Sequence, residues 1–213
     1  LIMLSGLPLK EPVSTVRKGV SSHFLTLITR PYMVAFFAAS ILLQFSHGPY
    51  YTFFTLYLVD GYGYSQSVAG ALWALGVIAE VVIFIAMPRV LTRFRLTHLL
   101  TGVFLVTSLR WGMIGVGAEW LGVIVIGQLL HAVSFGVAHA VSIEIVRREL
   151  GASHASQGQA LYSSLSFGVG GALGALMGGI FWDTNPQLTF LIASGASLLA
   201  AVICYMYVND RQG

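Results

Sequence analysis

Charge is scarce in this sequence. Asp, Glu, Lys and Arg together make up 9% of 213 residues, against ~25% in a typical soluble domain. A fold of this size cannot cover its outer surface with so few charged groups, so a water-soluble globule is excluded. Cysteine is nearly absent: Cys204 is the single example, which rules out an internal disulfide framework, and it lies in an apolar run where a thiol acts as a small hydrophobe. Basic residues number only 11 and are dispersed, so no nucleic-acid footprint is present and no nucleic-acid partner is expected.

Catalytic signatures are missing as well. No Gly-x-Ser-x-Gly elbow, phosphate loop or His-Glu-x-x-His spacing occurs, so the residues imply no enzyme, no metal site and no cofactor.

What remains is apolar. Hydrophobic residues reach 56% and the mean hydropathy is +0.82. Since a spanning helix needs ~20 largely apolar residues, the pattern predicts transmembrane helices over 33–57, 67–88, 96–117, 121–146, 159–182 and 187–208. Lipid satisfies no backbone hydrogen bond, so these runs are expected as helices, not open strands. The fold class read from the residues is an all-α integral membrane protein, a six-helix bundle over 31–209 whose partner is the lipid bilayer.

Lys and Arg are retained on the cytoplasmic side of a membrane. Lys10, Arg17, Lys18 and Arg30 precede the first run; Arg89, Arg93 and Arg95 surround the second connection; Arg147 and Arg148 follow the fourth run and Arg211 the sixth. The alternate connections carry Asp60, Glu119 and Asp183 with no Lys or Arg. Both termini are therefore expected on the cytoplasmic side, with 1–30 a cytoplasmic linker and 210–213 a cytoplasmic tail. The chain opens on Leu1, and a short apolar fragment before Lys10 reads as the end of a preceding helix. A stand-alone protein with a polar N-terminal arm is the other reading.

Ionisable and polar groups inside spanning runs are costly and mark function. Glu80 has no basic neighbour within a helical turn, so it is protonated or paired across helices; a structural hydrogen bond is the plainer alternative. Arg110 keeps its charge and needs an anion (Glu80, another carboxylate or a substrate) unless it snorkels to the outer interface. The fourth run holds Gln128, His131, Ser134, His139 and Ser142, with Gln128 and His131 sharing a face. An imidazole carries a proton near neutral pH, although a buried histidine can also be purely structural. Glu144 lies four residues before Arg148, the spacing of a helical ion pair. In the first run, Gly48 and Pro49 are expected to break or bend the helix beside His47, Tyr50 and Tyr51, exposing carbonyls suited to a watery cavity. Gly170, Gly174 and Gly178 recur every four residues and predict close packing of the fifth helix on a neighbour.

Five stretches carry a family likeness: SHGPYYTFF at 46–54, GYSQSVAGALWALGVIAEVVIF at 63–84, LRWGMIG at 109–115, QLLHAVSFGVAH at 128–139 and QALYSS at 159–164. Through them the chain resembles the major facilitator superfamily, and within it the 3-phenylpropionate permease family, related to the lac permease group. The resemblance covers nearly all of 30–208 and implies the C-terminal half, helices seven to twelve, of a twelve-helix transporter. It implies proton-coupled uptake of a small organic solute by alternating access, an aromatic carboxylate such as a phenylpropionate being the substrate class. The trio of Glu, Arg and His in lac-permease-like symporters falls here on Glu80, Arg110 and His131. Where the lac permease pattern places an acidic residue one turn after that His, this chain has Ser134, and its Glu stands about one turn later. Both features favour the phenylpropionate-type pattern. The roles implied are proton carrier for Glu80, relay or substrate ligand for His131 and counter-ion for Arg110. His47, Tyr50, Tyr51, Gln128 and His139 would contact substrate, and an N-terminal six-helix half is the implied partner. Two other readings stay open: a six-helix scaffold without transport, and a half-size transporter acting as a homodimer.

Overall fold

The computed structural model describes residues 21–208, which form helices in succession, with no strand among the described residues. They are α1 (Ser22–Ile28), α2 (Pro31–Tyr62), α3 (Gln66–Arg93), α4 (Leu96–Gly117), α5 (Leu121–Leu150), α6 (Ala155–Trp182) and α7 (Pro186–Tyr207). Local chemistry sets several boundaries. The Ser65 hydroxyl accepts from the Val68 amide at 3.3 Å to start α3, and Asn185 accepts from Leu188 at 3.0 Å to start α7, with Pro186 in the first turn. Gly63 ends α2 in the left-handed region at φ 71°, where a side chain would be strained.

Five of these helices are long and apolar enough to cross a membrane. The helix α2 reaches that threshold only together with α1, which meets it at 68°, because Gln44, Ser46, His47 and Thr52 dilute its middle. Two sequence expectations change here. Residues 22–28, assigned to a linker, form a helix that buries Phe24 and Leu27 against the bundle, with the Phe24 ring 5.6 Å from that of His154. The rest of the linker (1–20) and the tail (210–213) lie outside the described residues. Of the break or bend expected at Gly48 and Pro49, the break does not occur, since α2 runs through Pro49 as one element.

Pro49 lacks the amide that would bond the Phe45 carbonyl, and that carbonyl faces Gly174 of α6. A Cβ on Gly174 would overlap the Phe45 carbonyl, and one on Gly170 would overlap the Ile41 carbonyl. Gly178 sits on the Phe53 ring, 2.9 Å from where its Cβ would be. The glycine row thus lets α6 lie backbone to backbone on α2, in the manner of small-residue membrane interfaces. On its other sides α2 packs on α7, which also packs on α4, while α5 lies against α3 and α4.

Two apolar clusters occupy opposite ends of the bundle. One gathers Met33, Phe36, Leu43, Leu100, Phe104, Val141 and Cys204; the other Tyr50, Phe54, Tyr57, Trp111, Ile124 and Phe190. Along α2, α4 and α5, Gln44, Ser46, His47, Thr107, Arg110, Gln128, His131 and Ser134 fall between the two clusters.

Candidate functional site

That intermediate layer is the candidate site. Buried there are Gln44, Ser46 and His47 of α2, Thr107 and Arg110 of α4, and Gln128, His131 and Ser134 of α5. Hydrocarbon offers no partner for such groups, so they must satisfy one another.

Arg110 is 0% exposed; it neither snorkels nor reaches an interface. Its Nε donates to the Gly127 carbonyl at 2.7 Å, one terminal nitrogen to Ser134 Oγ at 3.1 Å and the other to Gln128 Oε1 at 3.2 Å. The guanidinium also lies over the Tyr50 ring at 4.5 Å and the Trp111 ring at 4.1 Å. All these partners are neutral. Among the described residues no carboxylate comes within 4.0 Å of it. A buried cation held only by dipoles and ring faces is expensive to bury, and this one has capacity for an anion.

Glu80 pairs elsewhere. Its Oε2 lies 3.7 Å from His131 Nε2, across from α3 to α5. Gly76, one turn before Glu80, faces the same ring, and a Cβ there would stand in ordinary van der Waals contact with it at 3.5 Å. Gly136 of α5 is what leaves room for α3 here: a Cβ at that position would stand 2.7 Å from the Ile83 side chain and 3.3 Å from that of Glu80. A direct Glu80–Arg110 ion pair, one of the sequence expectations for Arg110, is therefore not formed.

His47 is fixed from within its own helix. A carbonyl only accepts, so the 2.9 Å contact with Leu43 O makes His47 Nδ1 the donor. Its Nε2 is then left buried with no partner, as are His131 Nδ1 and Gln128 Nε2. Gln128 Oε1 accepts from Tyr50 at 3.1 Å as well as from Arg110. Because guanidinium cannot accept, the amide orientation is settled and its NH2 is the unpartnered end.

Of the residues singled out from sequence, Glu80, Arg110, His131, His47, Tyr50 and Gln128 gather in this layer. Tyr51 stands at its edge, 47% exposed and stacked 6.1 Å from His47. His139 does not join them; it lies two turns along α5, against Phe135, Tyr162 and Phe167. Sequence reasoning passed over Trp111, Ser46 and Phe135. Trp111 Nε1 donates to Ser46 Oγ at 3.0 Å, tying α4 to α2 beside His47. For the first two the sequence signal was adjacency alone, Trp111 to Arg110 and Ser46 to His47; Phe135 stands four residues from both His131 and His139. Glu144 accepts from both Arg147 and Arg148 at 2.7 Å, two ion pairs at the end of α5 and not one.

Residues 6–192 match the MFS_1 like family. The chain belongs to this family of the major facilitator superfamily. It is similar to the probable 3-phenylpropionic acid transporter of Escherichia coli (strain K12), with 33% identity over 198 residues, 91% of this chain and 50% of that protein. The chain thus spans about half the length of the curated relative it matches.

Proposed function

We propose that this chain is the C-terminal six-helix half of a secondary transporter in the bacterial inner membrane, both ends on the cytoplasmic side, taking up a small aromatic carboxylate with protons by alternating access. The observation that carries the reading is the separation of the two mid-bundle charges. Arg110 is surrounded by neutral groups, and Glu80 is placed on His131 instead. With Glu80 ionised, the layer holds one positive and one negative group. Protonating Glu80 leaves the cation of Arg110 uncompensated, and a carboxylate then restores the balance. Proton and organic anion thereby favour each other's binding, which is the linkage that coupled transport needs.

Tyr50 and Gln128 position the anion end. The clamped Gln128 amide offers its free NH2 beside Arg110, and the exposed Tyr51 ring and the half-buried Trp73 ring, 6.3 Å apart, present an apolar surface suited to an aryl group. The edge formed by Tyr51 and the part-exposed Glu80 is where a completing N-terminal half would close the cavity. The relative's described solute, 3-phenylpropionic acid, supports the substrate class.

The test is uptake of labelled 3-phenylpropionate by the full-length transporter in proteoliposomes under an inward acid gradient. Accumulation that a protonophore abolishes is expected. Absence of uptake, or uptake indifferent to the gradient, overturns the proposal.

A further inference from the structure

Three side chains stand on one line along α5. The His131 ring stacks on Phe135 with centroids 5.4 Å apart and planes at 19°, and Phe135 stacks on His139 at 6.2 Å and 8°. The two imidazoles are eight residues apart, ~12 Å along a helix axis, and proton transfer needs hydrogen-bond reach. Each carries a buried Nδ1 with no partner. Phe135 is also bracketed by His47 at 6.4 Å and Phe167 at 6.0 Å. It sits inside a π-helical stretch, Ala132–Val137, a wide turn that recurs where helices change register at functional sites. His139 is followed by Tyr162 of α6, 6.1 Å away, toward the helix end that carries Arg147 and Arg148.

We infer that His131 and His139 are the two stations of a split proton relay and that Phe135 is the apolar plate that keeps them apart until the transporter changes state. This inference rests on the proton-coupled reading above. A proton from the Glu80 carboxyl is taken on His131 Nε2 while the Nδ1 proton leaves, so the imidazole returns to neutrality in its other tautomer. With Phe135 turned aside, that proton passes through water to His139 and on to the end of α5 bearing the arginines. No electron changes hands, and Glu80 is left as carboxylate. The groups facing the relay are Glu80, His47, Tyr50 and Arg110 at the first station and Tyr162 at the second. Removing the plate in the resting state therefore lets protons through without solute.

The experiment uses the full-length transporter in proteoliposomes with a trapped pH dye, with 3-phenylpropionate as solute. Phe135→Ala is expected to raise solute-free proton entry about tenfold, and Phe135→His, which keeps an aromatic ring but adds a titratable bridge, to do the same. Phe135→Leu, which restores apolar bulk, is expected to leave entry at the wild-type level. His139→Gln is expected to reduce solute-driven proton entry while solute counterflow, which needs no net proton movement, continues. Unchanged proton entry in both Phe135→Ala and Phe135→His, or full proton coupling in His139→Gln, overturns the relay and leaves the transport reading intact. Wild-type protein that moves solute without protons overturns both.

Discussion

Arg110 and Tyr50 both donate to the same oxygen of Gln128, at 3.2 and 3.1 Å, so one amide joins α2, α4 and α5 at the middle of the bundle. Removing that acceptor leaves two buried donors unpaired. Gln128→Leu is expected to lower the stability of the purified transporter by about 1–3 kcal/mol, read by thermal unfolding in detergent. Gln128→Glu brings a carboxylate to Arg110 and is expected to keep stability near wild type while abolishing solute binding. A Gln128→Glu protein that still binds 3-phenylpropionate with wild-type affinity would remove Arg110 from the anion site.

Glu80→Gln preserves the shape of the side chain beside His131 but not its proton exchange. Solute counterflow is expected to survive in this variant, while accumulation driven by an acid gradient falls to background. Gradient-driven accumulation at the wild-type rate would show that the proton travels by another group.

Two neighbouring glycines separate packing from composition. A Cβ at Gly174 overlaps the Phe45 carbonyl, whereas one at Gly171 meets nothing within 4 Å. Gly174→Ala is expected to cost about 3 kcal/mol or more, since neither backbone can retreat. Gly171→Ala is expected to be neutral or to stabilise by up to ~1 kcal/mol through helix propensity. Size-exclusion profiles and melting temperatures of the two variants check the contrast, and equal behaviour contradicts the backbone contact.

Orientation is open to chemical labelling, because the native Cys204 is 0% exposed and gives no background. Asp183→Cys is expected to react with a membrane-impermeant maleimide in intact cells. Arg93→Cys is expected to react only after permeabilisation; both side chains are exposed. The opposite pattern would invert the proposed topology.

The helices themselves were legible because bilayer thickness imposes run length, and six apolar runs of that length can be read without knowing any contact. The Gly170 row was legible for a similar reason: four-residue spacing puts the positions on one face whatever lies opposite. The short helix at Ser22–Ile28 was not, since seven residues carry too little periodicity to stand out from a linker. At Pro49 a break could not be told from a continuous helix in the sequence, because a proline between packed helices loses one hydrogen bond and not the helix.

The sequence by itself determined the class of protein and the inventory of polar groups that must lie within it, through charge scarcity, run length and the types of residue inside the runs. Tertiary structure alone decided the partners. Periodicity reports which residues share a face of one helix, but the rotation and height of one helix against the next are set by side-chain packing across the interface. That packing gave Arg110 neutral acceptors in place of Glu80, delivered Glu80 to His131, and put Phe135 between two histidines that the sequence had grouped together.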